Sequence, residues 1–201
     1  MCGRYSVLTE DEIIEVRKII QEVSLSFVKD SMANYTPPKG EIRPTDGAPV
    51  ITKNNDGLWF ESARFGFKKW DGKGVIINAR SETVADKGMF AKTGRCVVPA
   101  SEYYEWRDKK KHFIKDGGGN LLFFAGLYRD GEDGREFVII TKEASGAAAE
   151  VHDRMPVVLH VGQLEGWLNG GITAEELAGM DFNDTVAAKC DEGCEQLSLF
   201  D

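Results

Sequence analysis

The spacing of apolar and polar residues predicts one amphipathic helix near the start of the chain, followed by many short strands. The helix begins at Thr9, because a threonine cap followed three residues later by Glu12 is a capping-box pattern. The early acidic residues also suit the positive end of the helix dipole. One side of this helix is apolar and consists of Ile13, Val16, Ile20 and Val23.

The later apolar stretches are short and rich in β-branched and aromatic residues, which is typical of strands. They cover residues 58–67, 75–78, 96–98, 103–106, 121–128, 137–141 and 157–159. The glycine-rich segment 116–120 is predicted to join two of them as a hairpin. Short helices are predicted after Asn78 and at 147–151, 163–168 and 174–177. The pattern therefore predicts an α+β fold with a mostly antiparallel sheet or barrel-like core and flanking helices.

Length and composition indicate a single domain. We expect the 201 residues to form one domain over 1–190, with a tail over 191–201. The chain shows no long apolar run and no cleavable signal, which predicts a cytoplasmic protein that makes no membrane contact. A monomer is the default expectation. Its net charge of -8 argues against a protein that coats nucleic acid by bulk electrostatics. Any nucleic-acid site must therefore be a local basic patch.

The four cysteines are too few and too scattered for the disulfide framework of a small secreted domain, so we expect reduced thiols. Cys190 and Cys194 form a close pair, but no second pair or suitably spaced histidine lies nearby to complete a zinc site. We therefore predict no metal and no cofactor.

Cys2 has two interpretations. It can be a small buried hydrophobe in an early strand. Alternatively, loss of Met1 would leave an α-amine and a thiol on neighbouring carbons, which together can attack one aldehyde and close a five-membered ring. Near neutral pH such an amine, with a pKa of about 8, is partly the free base, and the thiolate is the nucleophilic form of the thiol.

Four segments together resemble the SRAP family, the SOS-response-associated peptidases that sense abasic sites in single-stranded DNA. They are Met1-Cys2-Gly3-Arg4, the run from Asn78 to Thr83, the run from Cys96 to Trp106, and His152-Asp153-Arg154-Met155-Pro156. The resemblance covers about the first four-fifths of the chain and rests on the order of the segments, since each is weak alone.

The resemblance implies that Met1 is removed by the protein itself and that Cys2 then forms a thiazolidine with the ring-opened aldehyde of an abasic deoxyribose. It implies that Glu105 moves protons in both reactions, and that His152 assists opening of the sugar and reversal of the link. Asn78 is expected to hold the substrate or the Cys2 backbone through its amide. The alternatives are an exposed strand glutamate and a surface histidine. We predict that these four residues converge in one cleft with Arg80 and Arg154 on its rim. His112 and His160 are expected to be structural or solvent-facing.

Contacts with single-stranded DNA are expected from arginines, because guanidinium groups fork onto phosphate oxygens. The candidates are Arg4, Arg43, Arg80 and Arg154. Trp70, or alternatively Phe65, could stack on a base. Family members read Trp-Gly-Leu, a short spacer and a second Trp, whereas residues 65–70 here read Phe-Gly-Phe-Lys-Lys-Trp. Lys68 and Lys69 fit either a solvated turn or phosphate contacts.

Two other functions fit parts of this pattern. Glutamine amidotransferases of the N-terminal-nucleophile type also begin Met-Cys-Gly, but their downstream glutamine-binding motifs are not found here. A non-catalytic DNA-binding module, in which Cys2 only packs, is the second alternative.

The last residues resemble the short peptide by which bacterial repair proteins bind the replication sliding clamp. Gln196 would set the register, while Leu197, Leu199 and Phe200 supply the apolar character, with Leu199 and Phe200 filling a pocket. The alternative is a terminal strand packed on the domain.

Overall fold

The computed structural model describes residues 2–23, 28–32, 35–54 and 57–180, together with the backbone of 185–189. Within these ranges the helices are α1 (Glu10–Val23), α2 (Gly146–Ala149), α3 (Leu164–Leu168) and α4 (Ala174–Ala178). The strands of the first half are β1 (Arg4–Ser6), β2 (Val28–Asp30), β3 (Glu41–Ile42), β4 (Gly47–Asn54), β5 (Gly57–Phe65), β6 (Phe67–Lys68), β7 (Val75–Ile76), β8 (Asn78–Arg80) and β9 (Gly94–Ala100). Those of the second half are β10 (Glu102–Arg107), β11 (Lys110–Asp116), β12 (Leu122–Gly131), β13 (Gly134–Glu143), β14 (Arg154–Pro156), β15 (Val158–Leu159) and β16 (Thr185–Lys189).

The strands form two main sheets. One has the order β16-β11-β10-β1-β3 and is antiparallel throughout. The other has the order β14-β13-β12-β9-β4-β5-β2, with β15 and β8 attached at β12 and β13. Most pairs in this second sheet are antiparallel, but β13 runs parallel to β5 and β8, and β2 runs parallel to β5. The predicted α+β class with a mostly antiparallel sheet is confirmed.

Helix α1 begins as its sequence predicts. The Glu12 carboxylate accepts from the Thr9 backbone N–H at 2.7 Å, and the Thr9 hydroxyl accepts from the Glu12 N–H at 3.2 Å. This reciprocal pair satisfies two backbone donors that a helix start leaves open. Val16 and Ile20 are the buried residues of the helix, so the apolar face packs on the core.

The apolar side chains form two clusters. One contains α1, α3 and α4 residues packed against the second sheet, with Trp167 donating its indole N–H to the Cys96 carbonyl at 2.9 Å. The other lies among residues of both sheets and contains Cys2, Tyr5, Tyr103 and Phe124. The second cluster is the one that positions the site.

The hairpin predicted for residues 116–120 is wrong. The preceding strand, β11, belongs to the five-stranded sheet, whereas β12 belongs to the other sheet, so the segment crosses between sheets. The Asp116 carboxylate stabilises the crossing, because its Oδ2 accepts from the Gly118 N–H at 2.9 Å and from the Asn120 N–H at 3.0 Å. The turn residues are therefore used for a change of sheet.

The short helix predicted after Asn78 does not follow it directly and is present only as a 3-10 turn at Gly88–Phe90. Asn78 begins strand β8, which pairs in parallel with β13 through the register Asn78 to Ile139, and turns follow over 81–86. Hydrogen bonds to β13 fix the backbone of Asn78 in this extended form. No helix in the described part of the chain has the length and apolar character needed to cross a membrane.

Candidate active site

Cys2 lies just before β1, in the middle of the molecule. Strand β1 pairs with β10 on one side and β3 on the other, and the register Arg4 to Tyr104 brings the preceding residues alongside Glu105. The Cys2 side chain is 0% exposed. Burial, and then the nearby Glu105 carboxylate, raise the pKa of the Cys2 thiol well above its usual value. The resting site therefore holds a thiol and not a thiolate.

Asn78 connects this cysteine to the second sheet. Its side-chain Nδ2 donates to the Cys2 carbonyl at 3.1 Å and to the Ile139 carbonyl at 3.4 Å. Its Oδ1 is buried and has no hydrogen-bond partner among the described residues. The amide thus fixes the Cys2 backbone and keeps one acceptor for a further donor.

Glu105 and His152 face each other. Glu105 is buried on β10, and the His152 Nε2 lies 4.0 Å from the Glu105 Oε2. Burial raises the pKa of the Glu105 carboxyl, although the positive charge that His152 can carry acts in the opposite direction. A carboxyl of raised pKa releases and recovers a proton nearer neutral pH than an exposed glutamate does.

The backbone around His152 sets the orientation of its imidazole. The residue follows α2, and its own N–H donates to the Ala148 carbonyl at 3.0 Å. The Arg154 backbone N–H donates to Nδ1 at 2.9 Å, which assigns the proton of the neutral ring to Nε2, on the side of Glu105. Asp153 Oδ1 also lies 2.7 Å from Nδ1, where it accepts a hydrogen bond from Nδ1–H once the ring is cationic.

Arg154 is held in an ion pair. It donates to both carboxylate oxygens of Glu82, at 2.6 and 3.0 Å, and to the Thr141 carbonyl at 2.7 Å. The hydrogen bonds from Arg154 are the main cause that lowers the pKa of Glu82 to about 2. The pair links the turn after β8 to β14, and hence the Asn78 side of the site to the His152 side.

The other candidate arginines differ in exposure. Arg80, at the end of β8, is exposed. Arg43 is exposed as well, with its Nε 3.8 Å from the Glu41 carboxylate. Arg4 is buried, with its guanidinium stacked 4.8 Å above the Trp106 ring and 3.7 Å from Glu41. Arg43 and Arg80 are thus the candidates that already face solvent.

Trp70 and Phe65 occupy opposite environments. Trp70, in the turn between β6 and β7, is 99% exposed, beside a groove of about 860 Å³. The groove is lined by the basic residues Lys68, Lys69 and Arg129 and by the acidic residues Asp71, Asp130, Glu132, Asp133 and Glu136. Phe65 is fully buried and stacks on Phe137 at 5.1 Å. The interpretation of Phe65 as a base-stacking residue is therefore wrong, because its ring belongs to the core.

The remaining predictions for single residues are placed as follows. His112 is buried with its Nδ1 3.0 Å from the Lys110 carbonyl, and His160 is exposed. Among the residues that the structure describes, no group of three or more His, Cys, Asp or Glu side chains is arranged to hold a metal ion. Met1, the pair Cys190 and Cys194, and the clamp-binding residues Gln196, Leu197, Leu199 and Phe200 lie outside the described residues.

The sequence analysis did not single out Glu82 and Tyr103, which the structure places near the site. Glu82 lies within the run from Asn78 to Thr83, and its ion-pair partner Arg154 lies in the last of the four segments. Tyr103 precedes Glu105 by two residues, so strand alternation was enough to place both side chains on one face. Neither signal indicates a function without the structure.

The geometry brings Cys2, Asn78, Glu105 and His152 together at the junction of the two sheets. Fold and site together define a mixed α+β protein in which a thiol, a carboxyl, an imidazole and an amide lie close together at the start of the first strand. The chain belongs to the SOS response associated peptidase (SRAP) family, whose model matches residues 1–189.

Several characterised proteins are similar to the chain. It is 32% identical over 201 residues to the abasic site processing protein YoqW of Bacillus subtilis, covering 84% of this chain and 80% of that protein. It is 26% identical over 204 residues to the abasic site processing protein YedK of Escherichia coli, covering 94% of this chain and 87% of that one. A phage-related protein from Bordetella bronchiseptica shares the fold, with a TM-score of 0.72 at 21% identity over 95% of each chain.

Proposed function

We propose that the protein recognises abasic sites in single-stranded DNA and links to them covalently through Cys2. The observation that carries the proposal is the position of the Cys2 backbone and thiol between the Asn78 amide and the Glu105–His152 pair. The names of the relatives, which are abasic site processing proteins, support the substrate class.

The first step frees the α-amine of Cys2 by hydrolysis of the bond to Met1. Glu105 is suited to this step because it is a buried carboxyl whose charge acts directly on the Cys2 thiol. Its raised pKa lets it take a proton from the attacking water and pass that proton to the departing amine. The protein then carries amine and thiol on one residue.

The second step joins this amine to the sugar aldehyde. The amine adds to the carbonyl carbon, and one of its protons moves to the oxygen. A protonated Glu105 then delivers its proton to the leaving hydroxide, which departs as water, and the iminium nitrogen releases its remaining proton to solvent to give a neutral imine. The thiol then gives its proton to the Glu105 carboxylate, and sulfur attacks the imine carbon. The electron pair of the C=N bond moves to nitrogen, which recovers the proton, and the thiazolidine ring is closed.

Access to the thiol is expected from the side of Asn78 and His152, because these are the half-exposed members of the site whereas Cys2 and Glu105 are buried. His152 is thereby placed to meet the sugar hydroxyl first and to assist opening of the deoxyribose ring. Exposed Arg43 and Arg80 can bind flanking phosphates, and Trp70 can stack on a base beside the gap. Arg4 and Arg154 contact phosphate in this proposal only with rearrangement of Glu41 and Glu82.

The test is incubation of the purified protein with an abasic single-stranded oligonucleotide, followed by a denaturing gel. The wild type should give a heat-stable shifted band, and Cys2→Ala should give none. Cys96→Ala is the matched control, because Cys96 is an equally buried free cysteine remote in sequence from the first strand. A band retained in Cys2→Ala would exclude the covalent role of this residue, and a wild type without a band would favour a binding module. Release of glutamate and ammonia from glutamine would instead indicate an amidotransferase.

From sequence alone we also propose that residues 196–201 bind the sliding clamp. A damage sensor gains from being held at the replication fork, and a peptide of this size should bind reversibly at a micromolar Kd, about -8 kcal/mol.

A further inference from the structure

Two buried phenols are paired across strands β1 and β10. Tyr5 lies directly opposite Tyr103, and the two side chains are 1% and 0% exposed. Their rings meet Phe124 edge-on, with centroids 6.1 and 5.9 Å away. Neither hydroxyl has a hydrogen-bond partner among the described residues. Native cores retain few such groups, because each unpaired hydroxyl loses the hydrogen bonds that water would provide.

The two hydroxyls have different surroundings. Tyr103 and Glu105 lie two residues apart on β10, so both side chains point to the same face of the sheet. Tyr103 and Cys2 also belong to one core cluster. Burial raises the pKa of Tyr103 most, and the charges of Cys2 and Glu105 raise it further. Burial also raises the pKa of Tyr5 most, but among the neighbouring groups Tyr35 raises it more than Cys2 does.

The thiol step needs a donor at sulfur. Breaking the S–H bond of Cys2 creates a negative charge in the core beside Glu105, and this is why the thiol pKa is high at rest. Hydrogen bonds from neutral donors stabilise such a charge. Tyr103 stays protonated at neutral pH, so its hydroxyl can donate without losing its own proton.

We propose that Tyr103 is a further catalytic residue, whose unpaired hydroxyl donates a hydrogen bond to the Cys2 sulfur as the thiol loses its proton. This inference rests on the proposed function. The thiol proton passes to the Glu105 carboxylate, sulfur forms its bond to the imine carbon, and the C=N electron pair moves to nitrogen with the returning proton. Tyr103 keeps its proton throughout, so the step is balanced without a further reactant.

The test compares Tyr103→Phe with Tyr5→Phe, which removes an equally buried and unpaired hydroxyl from the opposite strand. Single-turnover crosslinking to abasic single-stranded DNA is measured from about pH 6 to about pH 9. Tyr103→Phe should be roughly tenfold slower at every pH in this range, because the buried Cys2 thiol stays protonated throughout it and the charge on sulfur must form in each turnover. Tyr5→Phe should follow the wild-type profile.

A second measurement separates the thiol step from the amine step. Borohydride reduces an imine to a stable amine, so trapping with borohydride reports imine formation before the sulfur attacks. Trapping should proceed equally in wild type and Tyr103→Phe, because the hydroxyl acts on sulfur. Equal profiles for wild type and Tyr103→Phe, equal slowing in both tyrosine variants, or slower trapping in Tyr103→Phe would each overturn the inference. A wild type that forms no crosslink would instead refute the proposed function itself.

Discussion

The ion pair between Glu82 and Arg154 is expected to stabilise the folded protein, and the lowered pKa of Glu82 sets the size of that effect. Glu82→Gln keeps the shape of the side chain but removes its charge and one of the two oxygens that accept from Arg154, while the contacts of Arg154 with Thr141 remain. The variant should unfold more easily than the wild type at neutral pH.

The pKa of Glu82 supplies the magnitude. Its fall from 4.5 to about 2 corresponds to at most about 3 kcal/mol. Since the Glu82 side chain is 49% exposed, solvent screens the pair, and we expect a loss of about 1 kcal/mol in the free energy of unfolding. A carboxyl whose pKa is lowered by folding stabilises the protein above its unfolded pKa. That stabilisation is lost as the pH falls from about 4.5 towards about 2, so wild type and variant should converge in acid.

Urea unfolding followed by tryptophan fluorescence, at neutral pH and at about pH 3, measures both effects. Glu15→Gln is the control, because Glu15 is an exposed glutamate on α1, away from β13 and β14, and its substitution changes the net charge equally. Equal losses in the two variants, or a loss for Glu82→Gln that persists unchanged into acid, would refute the assignment of the stability to this pair.

Three further predictions concern the site and its partners. Glu105→Gln should reduce crosslinking and raise the free energy of unfolding at neutral pH. Burial raises the pKa of Glu105, so the ionised carboxylate destabilises the folded protein above that pKa, and the neutral amide removes this cost. A variant that unfolds at lower urea than the wild type would contradict this. Trp70→Ala should weaken binding to single-stranded DNA by roughly tenfold with an unchanged Tm, as measured by fluorescence anisotropy, because the ring is fully exposed; an unchanged Kd would exclude stacking. Deleting residues 196–201 should abolish clamp binding in surface plasmon resonance and leave crosslinking intact, and clamp binding by the shortened chain would remove the role of the tail.

Local sequence patterns predicted many of the helices and strands but not which strands pair with each other in the sheets. The capping box at Thr9 and the apolar runs place α1 and most strands correctly, because those signals lie within each element. Strands β4 and β11 were among those missed, since the apolar residues of β4 are interrupted by Pro49 and β11 consists mostly of charged and polar residues. The crossing at 116–120 looks like a hairpin because glycine and asparagine serve both kinds of turn, and only distant hydrogen bonds decide which sheet receives the next strand.

The candidate site was predicted from the order of sequence segments and not from geometry. The structure adds the contacts that join them, such as Asn78 to the Cys2 carbonyl. Ion pairs like Arg154 with Glu82 connect residues far apart in sequence, and many arginines and glutamates compete for such pairing before the fold selects one. The unpaired hydroxyl of Tyr103 is likewise a property of packing alone.

The interior position of β1, between β10 and β3, has a consequence for folding. Its neighbour β10, the strand β8 and His152 are all synthesised long after residues 4–6, so the pairing that encloses Cys2 is one of the least local contacts in the molecule. Contacts between distant segments form slowly because loop closure must precede them. A growing chain therefore carries Cys2 without the strands that bury it, and the thiol is open to oxidation until the last part of the domain is made.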